Sequence, residues 1–306
     1  MNAIPPMLSV SLFTPTHASD FERFCLQRES IETCEIDIPH VAVVNHEDVA
    51  LFKRTPHQRG LTILSAREVL PPAYDRRRAV WRISRRDYRY WITGRGIHGW
   101  LLQQLLKLAS PAVVRTDGII CLDSDVFFVD QVTASDFIAP DGRLHLYETT
   151  DDIDAEMAEW YAHSLRFLSQ KVTSAPLRRF THAPVPMLRE LLVELQQFIE
   201  EQRGRPWMEA IIQADRVMEY TTYGVYARHI DKLSRVCPIK PSLAHYYWWA
   251  HEAQNIEDHF ADQIASSKPK MILINSNIGL DVGVCRRLLL PIWESQGGRK
   301  ARNHDV

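Results

Sequence analysis

"GIICLDSDVFFVD", Gly118 to Asp130, decides how this chain is read. An apolar run leads into two aspartates one residue apart, Asp123 and Asp125, and resumes at once with Val126, Phe127 and Phe128. Two carboxylates that close repel each other, and an unassisted protein gains nothing from the arrangement. A divalent cation or a phosphoryl group is the usual resolution. In open α/β sheets, ligands bind beyond the carboxyl ends of the strands, and the two aspartates stand where that rule puts a site.

The preceding segments repeat the pattern. "MLSVSLFT" (Met7–Thr14) predicts a first strand, and Ser19 and Asp20 predict the cap of a helix that turns Phe21, Phe24, Cys25 and Leu26 inward. "HVAVVNHED" (His40–Asp48) and "LTILSARE" (Leu61–Glu68) are short, nearly continuous apolar runs, as strands covered on both faces show. "GWLLQQLLKLASP" (Gly99–Pro111) predicts a helix with Trp100, Leu101, Leu105 and Leu108 on its packed stripe. Downstream, "RLHLYE" (Arg143–Glu148) reads as a strand and "DDIDAEMAEWYAHSLRFLSQ" as an amphipathic helix with an acidic start. "FTHAPVPMLRELLVELQQFIEEQRG" (Phe180–Gly204) reads as a proline-constrained loop and a helix that stops at Gly204, and "KMILINSNIG" (Lys270–Gly279) as a late strand. The expected fold class is α/β, a Rossmann-type, mostly parallel central sheet flanked by helices, in a single domain over residues 1–306.

With 306 residues, 45% hydrophobic and 9% aromatic, the chain can bury one large core or two modest ones. A net charge of -2 supplies no global attraction to nucleic acid or anionic membrane, and no nucleic-acid partner is expected. Five cysteines, an odd number without a Cys-x-x-Cys pair, suit reduced thiols in the cytosol and not a structural zinc. The N-terminal stretch carries no basic leader, and no run approaches the roughly 20 apolar residues of a bilayer span. The expectation is a soluble, bacterial-type cytoplasmic protein, with peripheral contact at the inner membrane left open. "FTPTHASD" in the first β/α turn lacks both the Gly-X-Gly-X-X-Gly fingerprint and a phosphate loop, which argues against a nicotinamide enzyme or an NTPase.

From "LFTPTHASDFERF" through "LDSDVFF" to "EYTTYGVY", the chain resembles nucleotide-sugar glycosyltransferases of the GT-A fold, whose Asp-X-Asp motif ends a central strand after a nucleotide-binding β/α half. "EYTTYG" looks like the Glu-Tyr-X-X-Tyr-Gly of a bacterial group of glycosyltransferase-like sequences. The resemblance implies a nucleotide-sugar-binding half over about 1–130 and an acceptor-binding half over about 131–306. It implies Mn²⁺ or Mg²⁺ on Asp125, with Asp123 reaching the ribose or the metal through water, and Thr14, Pro15 and Thr16 near the donor base. It further implies a UDP- or GDP-sugar donor, a glycan or lipid-linked acceptor, and work in bacterial surface polysaccharide synthesis. The chemistry agrees, because a sugar nucleotide leaves with a diphosphate whose growing charge a cation stabilises, and hard cations take oxygen ligands. By the same resemblance His182, in "THAPVPM", lines the acceptor site with Tyr220 and Tyr223. A late histidine, His245 in preference to His251, is the third protein ligand to the metal. An inverting enzyme also needs a carboxylate to deprotonate the acceptor, and Glu219 is the candidate.

Each motif also has a plainer account. Asp123 can cap a strand-end turn, and Glu219 can open a helix whose tyrosines fill the core. His182 can sit in an ordinary helix-entry loop, and His245 can be a satisfied structural histidine. Two other function classes compete. "LDSDVFF" also matches the Asp-X-Asp-X-[Thr/Val] signature of haloacid-dehalogenase-like phosphatases, with Asp123 as nucleophile and Asp125 as acid/base, although three β/α units precede it and the later motifs of that fold lack counterparts. "YDRRRAVWRISRRDYRYWITGRG" (Tyr74–Gly96) spreads eight arginines from Arg76 to Arg95 among Trp81, Tyr88, Tyr90 and Trp91. Such interleaving suits single-stranded nucleic acid, a diphosphate, an anionic membrane or simply a solvated basic face.

Overall fold

The computed structural model describes residues 8–84, 96–151, 153–171, 176–214, 217–241, 243–252 and 254–303. Its strands are β1 (Val10–Pro15), β2 (His40–Val44), β3 (Leu61–Ser65), β4 (Gly118–Cys121), β5 (Val126–Phe128), β6 (Leu144–Tyr147), β7 (Val185–Leu188), β8 (Val236–Ile239), β9 (Ala244–Tyr247) and β10 (Met271–Ile274). The central sheet has the order β3-β2-β1-β4-β7, parallel except for β7. Every residue of β1 and β4 is buried, as expected for parallel strands lying between helices. Leu12 in β1 is flanked by His40 of β2 and Ile120 of β4. The chain builds outward from β1 to β3 and then returns to the other side of β1 as β4. That reversal leaves a crevice at the carboxyl ends of β1 and β4, where Thr16 Oγ1 lies 3.5 Å from Ser124 Oγ.

After Asp125 the chain leaves this sheet. β5 pairs antiparallel with β10, which lies parallel to β9, while β6 and β8 form a third, two-stranded sheet. The apolar residues on either side of the aspartates are therefore two strands in two sheets, and the aspartates sit in the link. The helix Phe21–Thr33 holds that link through a buried polar stripe. Gln27 Nε2 donates to Asp123 O (2.7 Å) and Val126 O (3.1 Å), Phe128 N donates to Ser30 Oγ (3.0 Å), and Arg23 donates to Leu280 O (2.5 Å) beyond β10. The expected inward residues are only part of the buried set: Phe24 and Leu26 are buried and Phe21 and Cys25 half-buried, but Arg23, Gln27 and Arg28 are buried with them. The helix is covered on two sides, so its polar residues find backbone partners inside.

The segment "VPML", expected as loop, is the antiparallel strand β7, with Pro186 opposite Ile120. It is an edge strand, the position in a sheet that tolerates a proline. The following helix, Arg189–Arg203, ends as expected at Gly204, in the left-handed region at φ 61. Among the described residues no helix is long and apolar enough to cross a membrane.

The helix Glu219–Val225 is buried along its whole length. A Cβ at Gly224 would overlap the ring of Phe180, itself 1% exposed and packed against Tyr161. Overpacking of this kind costs about 1–3 kcal/mol. Gly224→Ala is expected to lower the melting temperature by several degrees, and Phe180→Leu in the same chain to recover part of the loss. An unchanged melting temperature for Gly224→Ala contradicts the packing described.

Candidate functional site

Beyond the carboxyl end of β4 lies a cavity of about 710 Å³. One wall is a single stripe of the helix Gly99–Ala109, formed by Trp100, Gln103, Gln104 and Lys107 at helical spacing. The opposite face of this helix buries Leu101, Leu102, Leu105 and Leu108. Trp100, expected with those leucines, stands instead on the cavity stripe, 44% exposed and stacked on His98 (6.0 Å between centroids, 2° between planes). The link after β4 contributes Asp123, the helix Glu219–Val225 contributes Glu219 and Tyr220, and the loops after β9 and β10 contribute Trp248, Trp249, Asn275 and Asn277.

Lys107 organises the floor. Its Nζ lies 2.9 Å from Asp123 Oδ1, 3.1 Å from Glu219 Oε1 and 4.4 Å from the centre of the Tyr220 ring. Burial by itself drives the amine toward neutrality, but Asp123, Tyr220 and Glu219 outweigh it and hold the ammonium well above the ordinary lysine range. Glu219 is 2% exposed, and its Oε2 has no protein partner. The Asp123 side chain is 37% exposed, so it remains open to the cavity. Reading the sequence for apolar stripes passed over Lys107. Its signal was a polar face, Gln103, Gln104 and Lys107, on a helix otherwise rich in leucine.

Asp125 is the uncompensated member of the pair. Its Oδ2 accepts the Ser276 N–H (2.9 Å), while its Oδ1 is buried without a partner. Burial, and then the charge of Asp123, raise the carboxyl to about 7 against the pull of that N–H. A buried oxygen without a hydrogen bond, next to a second and open carboxylate, fits a hard divalent cation. Among the described residues no group of three or more His, Cys, Asp and Glu side chains could hold a metal, and Asn275 and Asn277 add neutral oxygen donors to the same cavity.

The other expected residues divide. His245 does not reach the aspartates. Strand alternation in β9 turns it with Tyr247 (5.0 Å) toward the helix Ile256–Ser267, where Ser267 Oγ lies 3.4 Å from its Nδ1, whereas Tyr246 stacks on Trp248 (5.7 Å). His182 packs edge-on to Tyr246 (5.2 Å), and burial, then Arg179 and Lys240, press it down to about 3, so it is neutral. The cavity takes its neighbour Thr181 instead. Tyr223 is a core residue whose hydroxyl accepts the Leu188 N–H (2.8 Å). Thr14 and Pro15 are buried in β1. The Thr14 hydroxyl bonds His40 Nε2 (2.9 Å), whose Nδ1 accepts from Arg28 (3.0 Å), and Thr16 of that trio lies past the end of β1, beside Ser124. In the arginine-rich segment, Arg77 pairs with Glu209 (2.5 Å) and Arg78 donates to Ile97 O (3.2 Å). The side chains from Trp81 to Arg95 lie outside the described residues.

Two stability outcomes follow from these charges. Lys107→Met strips the cation from two carboxylates, one of them fully buried, and is expected to cost about 3–5 kcal/mol, with Glu219→Gln restoring part of it. Thermal denaturation of the single and double variants reads both effects. Asp125 has a higher proton affinity folded, about 7, than unfolded, so folding takes up protons and stability falls as pH rises from about 4 through 7. Asp125→Asn is therefore expected to melt above the parent at pH 8 when no metal is added, with the difference shrinking toward pH 4. A variant that melts below the parent at pH 8 contradicts the account of Asp125.

Solved structures with a similar course of the chain include mouse xyloside xylosyltransferase 1 in its apo form, at 8% identity over 90% of this chain and 100% of that one, with a TM-score of 0.46. The galactosyltransferase LgtC in complex with donor and acceptor sugar analogs matches at 10% identity over 86% of each chain (TM-score 0.40). The Mn/GDP form of core-mannan synthase A (CmsA/Ktr4) from Aspergillus fumigatus matches at 9% identity over 78% of this chain and 74% of that one (TM-score 0.48). No curated protein matches the chain. Along the sequence itself, residues 1–279 match the model of a family described as a family of unknown function (DUF6492), and the chain belongs to that family.

Proposed function

We propose that this chain is a GT-A-type glycosyltransferase that moves a sugar from a UDP- or GDP-sugar to a hydroxyl of a glycan or lipid-linked acceptor, in the synthesis of a bacterial surface polysaccharide or related glycan. The observation that carries the reading is the meeting of Asp123, Lys107 and Glu219 on one cavity at the reversal point of the sheet, with Asp125 buried two residues on. Asp123 and Asp125 would hold a Mn²⁺ or Mg²⁺ ion, which would supply positive charge to the departing diphosphate. Lys107 adds a second positive charge that is already fixed and desolvated, so no reorganisation is needed as the negative charge grows. Thr16, beside Ser124 at the strand end, is the member of the first-turn trio placed to meet the donor.

Glu219 is engaged by Lys107 through Oε1 and keeps Oε2 unpartnered on the cavity. For transfer with inversion, that oxygen accepts the proton of the attacking hydroxyl. The aromatic walls restrict water, which would otherwise compete with the acceptor for the donor sugar. The five cysteines are thiols, not disulfides, in keeping with a cytoplasmic site of action.

UDP and GDP, each with and without Mn²⁺, are the first test. One of them is expected to raise the melting temperature by several degrees in the presence of the metal, and Asp125→Ala to abolish the rise. A melting temperature unmoved in every arm overturns the proposal. Glu219→Gln is expected to retain the nucleotide response and to lower kcat by about 10²–10⁴-fold, the range for loss of a general base. Undiminished turnover in that variant removes Glu219 from the chemistry.

A further inference from the structure

The cavity carries two features that sugar transfer in general does not explain. The first is a pair of buried, unpaired polar groups on its floor. Gln104 is 1% exposed and lines the cavity, yet among the described residues neither its amide nitrogen nor its amide oxygen has a hydrogen-bond partner, and Glu219 Oε2 is in the same condition. Each unpaired buried group costs about 1–3 kcal/mol, so a fold that leaves three such atoms on one cavity holds them for an incoming molecule. One amide donor and two acceptors match a pair of hydroxyls, because each hydroxyl both donates and accepts.

The second feature is the exposed indoles. Trp100 is 44% and Trp249 54% exposed, and both line the cavity. They are held in place: His98 lies parallel to Trp100, and Glu252 Oε2 accepts the backbone N–H of Trp248 (2.6 Å) and of Trp249 (2.8 Å). An acyl chain would cover the indoles but would offer no partner to the Gln104 amide. A phosphate-rich polymer would meet Asp123, Asp154 and Glu156. A pyranose presents a C–H face for an indole and a hydroxyl edge for an amide and a carboxylate, and so satisfies both features at once.

We propose that the acceptor is a carbohydrate of at least two rings, one read through its hydroxyls by Gln104 and Glu219 and the next stacked on Trp249 and Trp100. The sugar class rests on the reading of this cavity as a glycosyl-transfer site, and it narrows the acceptor to the glycan itself, with no contact required from a lipid. Maltotetraose, cellotetraose and chitotetraose, with 1-octanol as the apolar contrast, are titrated into the full chain and followed by intrinsic tryptophan fluorescence and calorimetry. At least one tetrasaccharide is expected to change the emission saturably. Trp249→Ala is expected to weaken that binding about tenfold, the loss of one aromatic contact. Gln104→Leu is expected to weaken it similarly while melting no lower than the parent, because leucine removes two unpaired buried atoms.

Silence of all three saccharides overturns the inference, as does octanol binding in their place, or parental affinity in both variants. A nucleotide-dependent rise in melting temperature together with silent saccharides overturns the carbohydrate acceptor alone. Saccharide binding without any nucleotide response supports the sugar-binding cavity and removes the glycosyl-transfer reading.

Discussion

One buried amide holds the place where the two larger sheets meet. Between Cys121 at the end of β4 and Val126 at the start of β5, the backbone leaves one ladder before it enters the next, and Asp125 O is bonded to the Ile274 N–H of β10 (3.0 Å). Gln27, reaching from the helix Phe21–Thr33, donates to the carbonyls of Asp123 and Val126 and supplies what the ladders do not. Ser30 and Arg23, one helical turn away on either side, extend the grip to β5 and to the chain beyond β10. Two carboxylates that repel each other thus project from a backbone that cannot turn them apart.

The charges on that link are balanced unequally. Lys107 compensates Asp123 and Glu219 together, and its own burial is tolerable only because both acids face it. Asp125 receives one backbone N–H and a weaker pull from the Arg23 guanidinium, and burial and the charge of Asp123 raise its proton affinity against both. A site built this way has one carboxylate already compensated by the protein and one whose proton affinity is raised. The aromatic residues around it lower the local dielectric and so strengthen every one of these interactions.

Much of the scaffold was legible because a parallel strand buried on both faces is largely apolar, as β1, β2 and β4 are. The aspartates were legible for the same reason: two acids after such a run have few ordinary explanations. Lys107 was legible in principle, since a glutamine–glutamine–lysine face on a leucine helix is a periodic signal of its own, but stripe-reading attends to apolar residues first. His245 was not legible. In "HYYWW" the choice between His245 and Tyr246 depends on which side of β9 faces the aspartates, and a one-residue change of parity reverses it. Tyr223 and Tyr220 look alike at helical spacing, yet one hydroxyl is bonded to the backbone of Leu188 while the other ring carries an ammonium.

Periodicity and local chemistry by themselves determined the α/β class, the strand runs of the first third, the helix stop at Gly204 and the acidic link, because each depends only on neighbours along the chain. Partnership was decided by the tertiary structure alone: β5 goes to a different sheet from β4, "VPML" becomes an edge strand, and Lys107 arrives between Asp123 and Glu219. Contacts between residues a hundred positions apart are chosen by packing of the whole core, and no local pattern carries that information.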